Sequence, residues 1–506
     1  MRALACRVLI VRATLPMTPR FSQPGRHLLD GTLCVFLAEA LVLPTGLLTA
    51  AFLTRRLGPD GYGIFSVAAA IVIWLEVSVA ALFSRASFKF IAEAADWKPL
   101  SATLLWWHAA VGSAAAILVW LLSPSLGWLL HEPGLVAPLR LFAFDIPLFC
   151  IAQAHKNLLI GLGAFRQRAL SSAARWVSRP VLIVLLVELG LSVEGAIWGS
   201  LGATFVELVM ARWCVRPPVF ERPAWRLPGF WTYAWPLWLF SVGTTLLAKL
   251  DLLMLKGLGG TAAEAGIYSA AQNLAIVPAI FATAFGPLLL STLSRLNKTQ
   301  ETALAKEIAT ASMRAVILLL PFAALTAGMA RDIAVFVFGP RFAEAAPLLS
   351  FLIFAAVASV MVSITTAIMT AAGRPAWPLA LLVPLLALAA VGYLRVIPVY
   401  GPLGAAVVAA LVAAAGALAS LVSVRALWGI GVPPASLLRS VLVSIAAYAL
   451  TTMLTAPDIW LLVKVPVIAL VIYALLACLG EFSSGELALA RSALGWRQPA
   501  KPHPAS

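Results

Sequence analysis

Mostly apolar runs of eighteen or more residues recur along this chain from Gly31 to Gly480, and each is long enough to cross about 30 Å of hydrocarbon as a helix. That recurrence restricts the fold more than any other feature. Backbone N–H and C=O groups find no water in lipid, so a spanning segment must be a helix or a strand of a closed barrel. Barrel strands alternate apolar and polar residues; the run VLIVLLVELGL from Val181 to Leu191 does not. Composition agrees: of 506 residues 62% are hydrophobic and 11% charged, and the mean hydropathy is +0.97. The expected fold is an all-α polytopic membrane protein with about fourteen transmembrane helices. They are placed at 31–54, 62–83, 103–123, 139–161, 170–190, 193–213, 230–255, 265–289, 311–329, 343–371, 376–396, 402–423, 437–455 and 458–479.

The formal charge of +15 raises the question of nucleic acid, but its placement answers it. With the N-terminus inside, 26 of the 36 lysines and arginines fall in segments on the side of the two termini or in the helix turns adjoining them. Seven lie on the other side (Arg55, Arg56, Arg140, Lys256, Arg331, Arg341, Arg395), and Lys156, Lys249 and Lys464 lie within helices. Cytoplasmic loops carry such an excess, so both termini are expected in the cytoplasm and no nucleic-acid partner is expected. The first sixteen residues are interrupted by Arg7 and Arg12 and show no clear small-residue cleavage site, so a cleaved signal peptide is not expected; Met17 is an alternative start. The five cysteines (Cys6, Cys34, Cys150, Cys214, Cys478) are far apart and form no CxxC, so neither a disulfide framework nor a metal site is indicated, and they read as packing residues. No phosphate-binding loop, HExxH or GxSxG is present, and no cofactor is expected.

The chain repeats itself. Leu57-Gly58 matches Leu258-Gly259, Gly63-Ile-Phe-Ser66 matches Gly266-Ile-Tyr-Ser269, and Gly195-Ala196 matches Gly404-Ala405, a period of about 205 residues holding six helices. An even number of spans gives two parallel six-helix lobes. The expected organisation is a basic tail (1–30), a first lobe (31–213), a linker (214–229), a second lobe (230–424), two extra helices (425–479) and a C-terminal tail (480–506). Two lobes about a central cavity are what alternating access needs.

Ionisable groups within apolar spans cost about 2.5–3.5 kcal/mol each near mid-bilayer and are therefore candidates for function. Lys249 and Asp251 lead; two positions apart, they point about 200° from one another and cannot form a same-face pair. Glu39, Glu76 and Asp145 are candidates for ion coupling, and Pro44 for a break in the first helix that frees carbonyls. His155 and Lys156 are candidates for a phosphate or an interfacial anchor. Arg175 and Arg179, four apart on one face, suit a diphosphate, with positive-inside anchoring as the alternative. Gln272 and Asn273 are candidates for sugar hydroxyls or helix glue. Glu188, Glu194 and Glu207, near helix ends, carry little weight; Lys464 is read as peripheral, and Arg55, Arg56, Gly58, Gly61 and Gly63 as parts of a turn. Trp106, Trp107, Trp198, Trp235 and Trp238 read as interfacial belt or packing.

RRLGPDGYGIFSVA at 55–68 resembles the signature after the first helix of oligosaccharide flippases in the polysaccharide biosynthesis protein family, within the multidrug/oligosaccharidyl-lipid/polysaccharide exporter superfamily. KLDLLMLKGLGGTAAEAGIYSAAQNL at 249–274, FGPRFAEAAPLL at 338–349 and IPVYGPLGAA at 397–406 are similar to that family in the expected order. The resemblance covers residues 31 to about 425 and extends loosely beyond. It implies a V-shaped bundle with a cationic cavity in the bacterial inner membrane, translocating an undecaprenyl-diphosphate-linked oligosaccharide. It also implies coupling to H+ or Na+ and association with other polysaccharide-assembly proteins. Asp251 matches an acidic position common near the end of helix 7 in that family. O-antigen, capsule and exopolysaccharide units (lipopolysaccharide or exopolysaccharide assembly) all fit. Two alternatives stay open: a multidrug or metabolite cation antiporter of the same superfamily, which favours twelve helices and a carboxylate-rich first lobe, and a membrane polymerase or ligase, which needs a larger periplasmic domain than the short outer loops supply.

Overall fold

The computed structural model describes residues 34–94, 96–218, 230–374, 376–453 and 460–482. The N-terminal tail with Cys6, most of the linker and nearly all of the C-terminal tail lie outside the described residues. Among the described residues there is no strand; the chain is an all-α, multi-pass membrane protein.

The first half comprises α1 (Val42–Glu93), α2 (Lys98–Leu129), α3 (Val136–Phe142), α4 (Asp145–Gly161), α5 (Phe165–Leu186) and α6 (Ser192–Cys214). The second comprises α7 (Phe230–Gly257), α8 (Ala262–Ala275), α9 (Ala279–Lys298), α10 (Thr302–Ile317), α11 (Leu320–Gly328), α12 (Ala330–Phe338), α13 (Ala345–Ala371) and α14 (Ala376–Trp428). α15 (Pro434–Met453) and α16 (Leu461–Cys478) follow. Ten helical segments among the described residues are long and apolar enough to cross a membrane, and three of them run 50 residues or more. A straight helix of that length would span about 75 Å, more than twice the hydrocarbon. Each is instead interrupted at a glycine with positive φ: Gly58 (70°), Gly190 (91°) and Gly401 (56°). Glycine meets that need without a Cβ penalty. Past two of these points the chain runs back along itself. A Cβ on Gly199 would lie 2.7 Å from the Cα of Ile183, and one on Gly392 2.7 Å from Val408. With each such segment counted twice, and α8–α9 as one further crossing, the helices are compatible with the expected fourteen.

The boundaries differ from expectation mainly at prolines. The span expected at 265–289 is two helices, α8 and α9, because Pro278 lacks the N–H that would continue the ladder and biases Val277 away from it. Likewise 139–161 is divided into α3 and α4, and the span at 311–329 into α10 and α11. The break expected near Pro44 falls at Leu41, whose carbonyl accepts from the N–H of Thr45 at 3.2 Å and from its hydroxyl at 2.5 Å. That carbonyl is therefore already engaged.

One apolar core runs through both halves, with α1 packed on α7 and α8, and α13 on α9 and α14. A separate cluster of Leu325, Met329, Val443, Ala447, Ile468 and Ile472 joins α15 and α16 to α11. Glu481 fastens the far end of this appendage: Arg314 of α10 donates to its carboxylate at 2.7 Å and to its carbonyl, and Arg439 of α15 donates at 3.1 Å.

Candidate functional site

A cavity of about 830 Å³ lies where the halves meet. The first half contributes both arms of α1, from Gly46 to Leu53 and Tyr62 to Ile73, and Arg179 of α5; the second contributes α7, α8, α9, α13 and α14. Its walls are largely apolar, and its polar groups are few. Asp251 of α7 turns to α8: one carboxylate oxygen accepts from the Tyr268 hydroxyl at 2.8 Å and from Gln272 Nε2 at 2.7 Å, the other from the N–H of Leu252 at 2.8 Å. Asn273 donates at 2.9 Å to the hydroxyl of Tyr62 in the first half. Lys249 and Arg179 also line the cavity, and neither has an ion pair or hydrogen bond with another described residue. Lys249, Asp251, Gln272, Asn273 and Arg179 are thus brought together.

The remaining candidates sort elsewhere. Arg175, one turn from Arg179, is held by Glu207 of α6 at 3.2 Å and stacks over Phe149 at 4.9 Å. Lys156 of α4 reaches the other oxygen of the same carboxylate at 2.9 Å. Glu207 is 1% exposed, so one buried anion is shared by two cations inside the first half. His155, 2% exposed, points Nδ1 at the Ile151 carbonyl and is no interfacial anchor. Glu76 and Asp145 are buried neighbours within electrostatic reach of Arg175 and Arg179, and each has one oxygen without a partner. Glu39 lies apart from the cavity, bonded to Arg168 and Ser172, both at 3.2 Å. Lys464 is not merely peripheral: its side chain is 10% exposed and stands 4.0 Å from Asp332 of α12. Trp238 donates to the Ser78 carbonyl at 2.9 Å, and Trp107 packs on Phe230 and Trp231, whereas Trp106, Trp198 and Trp235 are exposed as a belt requires. Of the described cysteines only Cys150 is buried.

A family model described as polysaccharide biosynthesis protein matches residues 28–296, more than half of the chain. The chain belongs to the polysaccharide biosynthesis protein family. In three dimensions this family member is similar to the lipid II flippase MurJ in an inward closed conformation, with a TM-score of 0.73 at 15% identity over 92% of this chain and 99% of that one. It is similar to an outward-facing multidrug resistance MATE transporter of the MOP superfamily (TM-score 0.56, 14% identity, 80% and 97% coverage). A mutant of the Vibrio cholerae MATE transporter VcmN gives 0.59 at 14% identity over 79% and 96%. At these identities the likeness shows a shared fold. No curated protein matches the sequence significantly.

Sequence reasoning passes over Glu207, Tyr62 and Tyr268 in this family member. Glu207 lies toward a helix end, which lowers its apparent weight. The signal that could have found it is its type: a carboxylate deep in an apolar span requires a cation, and Arg175 and Lys156 are both candidates. The two tyrosines sit within the repeated motif, at Tyr62 before Gly63 and Tyr268 after Gly266, and nothing local marks their hydroxyls as cavity groups.

Proposed function

We propose that the protein carries an undecaprenyl-diphosphate-linked oligosaccharide, the repeat unit of O-antigen, capsule or exopolysaccharide, from the cytoplasmic to the periplasmic leaflet of the bacterial inner membrane by alternating access. The observation that carries this reading is the cavity with two cations from different halves, Arg179 and Lys249, neither of which makes a salt bridge with a described carboxylate. An uncompensated cation in a low-dielectric cavity favours an anionic ligand, and guanidinium and ammonium groups both suit a diphosphate. Gln272, Asn273 and the Asp251 cluster offer donors and acceptors for sugar hydroxyls. The first and second lobes are assigned to residues 31–213 and 230–424, with α15 and α16 outside them and both termini cytoplasmic. Glu76 and Asp145 are the groups assigned to H+ or Na+ coupling; Glu39, the third candidate, is bonded to Arg168 and Ser172 apart from the cavity. Arg175, Lys156 and His155 are assigned a supporting role, because their charges and hydrogen bonds are used within the first lobe. MurJ, whose fold the chain shares, is a lipid II flippase, which fits a lipid-linked substrate. A cation antiporter would present a net anionic cavity, and the lining here, with Arg179 and Lys249 against Asp251, weighs against it. A polymerase or ligase is not favoured by any group in the cavity.

The test is deletion of the gene followed by mass spectrometry of lipid-linked intermediates, with the leaflet assayed by an impermeant glycosidase. Accumulation on the cytoplasmic leaflet supports flipping. Unpolymerised units already in the outer leaflet would overturn it in favour of an enzyme.

A further inference from the structure

The repeated motif lies against its own counterpart. A Cβ built on Gly63 would stand 2.9 Å from the backbone N of Gly266, and one built on Gly266 would stand 2.9 Å from the N of Gly63. Each would also overlap a carbonyl oxygen four residues before the other glycine, that of Ala262 for Gly63 and that of Pro59 for Gly266. Pro59 and Ala262 are themselves equivalent positions, each the first helical residue after its turn. The two helices thus cross at a distance that no side chain but glycine permits.

The cations beside the motif show the same exchange. Arg55 of the first half donates to the carbonyls of Val337 at 3.1 Å and Phe336 at 2.5 Å, at the C-terminal end of α12 in the second half, where carbonyls lack helical partners. Lys256 of the second half, 2% exposed, binds Glu132 of the first half at 3.1 Å. Arg55 and Lys256 lie at the end of the first span of their respective halves. Glu132 and Phe336 both lie in the segment between the third and fourth spans of theirs, and every pair stands about 200 residues apart in the chain. Tyr62 and Phe342 meet edge-on at 6.2 Å beside these contacts.

We infer that the outer end of the cavity is closed by one contact made twice: each half lays a glycine against the other's helix start and sends one cation into the other's third-to-fourth-span segment. Such a self-complementary contact, the intramolecular form of an isologous interface, lets both halves release together. The two glycines set how closely the halves approach, and Arg55 and the Lys256–Glu132 pair hold them there. This gate rests on the proposed transport reading for its purpose and on the charge distribution for calling that end outer.

The test places a single cysteine at Ser363, which lines the cavity away from these contacts, in a chain freed of its five native cysteines. An impermeant thiol reagent is applied to sealed right-side-out and inside-out vesicles. The parent should label from the inner face. Gly266→Ala and Lys256→Glu should each raise outer-face labelling about tenfold, as loss of one stabilising contact shifts an open–closed ratio. Glu132→Lys combined with Lys256→Glu should restore the parent pattern, which keeps the test decisive if the glycine variant misfolds. Unchanged outer-face labelling in Lys256→Glu, with inner-face labelling intact, would overturn the gate. The expected labelling with normal leaflet distribution of the saccharide in a deletion strain would leave the gate standing and remove the substrate reading alone.

Discussion

Glu207→Gln is the substitution whose consequence the structure defines most sharply. Its carboxylate, 1% exposed, is the ion-pair partner of both Lys156 at 2.9 Å and Arg175 at 3.2 Å, whose side chains are 11% and 13% exposed. The glutamine has nearly the same shape, so packing is retained while the one negative charge is lost and two buried cations remain. Removing one partner of a buried pair costs about 3–5 kcal/mol, and at about 1.4 kcal/mol per tenfold the folded-to-unfolded ratio should fall at least a hundredfold. The purified variant in nanodiscs should therefore melt several degrees below the parent by fluorescence-detected gel filtration. Adding Lys156→Met should recover part of the loss, since one cation then remains instead of two, and a double-mutant cycle would show coupling above about 0.5 kcal/mol. A midpoint equal to the parent's, or single effects that merely add, would refute the claim that one carboxylate serves both cations.

Lys249→Ala and Asp251→Asn should each reduce saccharide reaching the outer leaflet by about tenfold or more with normal protein level; normal surface polysaccharide in both would remove these residues from the mechanism. Gly199→Ala places a Cβ 2.7 Å from the backbone N of Ile183, and overpacking of that kind costs about 1–3 kcal/mol, read as a lower melting midpoint. Glu481, beyond the last span, is subject to burial, which raises its pKa, but hydrogen bonds from Ser436, Arg314 and Arg439 outweigh it and hold the carboxyl below its ordinary value of 4.5. A lowered folded pKa means its stabilisation is full above the unfolded value and is lost as pH falls through the folded one. Hydrogen exchange in α15 and α16 should accordingly rise as pH drops below about 4.5, less so in Glu481→Gln, which has already lost the charge.

What could be read in the sequence followed from chemistry that acts locally. Gly58, Gly190 and Gly401 punctuate apolar stretches, and hydropathy alone requires the chain to reverse near each. The repeated Gly-Ile-aromatic-Ser motif announces two related halves, and ionisable residues inside spans lead to Lys249 and Asp251. Pro278 escapes notice as a helix break because apolar residues continue on both sides of it, so hydropathy shows one span where the backbone makes two. Partners are beyond reach for a different reason. Glu207 meets Lys156 and Arg175, 51 and 32 positions earlier, only once α4, α5 and α6 are packed, and no spacing rule relates residues on different helices. The two-hundred-degree separation of Lys249 and Asp251 is correct as geometry and uninformative as to function, since both side chains reach the same cavity from one helix.

That sorting of charges bears on how a membrane protein keeps a site reactive. A cation buried beside its own counter-ion is stable and electrically silent; one left facing a cavity without a partner remains available to a ligand and costs stability until the ligand arrives. Here Lys156, Arg175 and Arg179 are inward basic groups of the first half, and one glutamate is the salt-bridge partner of the first two. Arg179 is thereby the group through which that half addresses the cavity, as Lys249 is for the other. An anionic ligand that engages both would lie across the boundary between the halves, so its binding would add attraction there to the contacts already made by Asn273 with Tyr62 and Lys256 with Glu132. On the proposed transport reading, a ligand that pairs with both cations would favour closure around itself, and the polarity of the cavity would then be linked to movement of the halves.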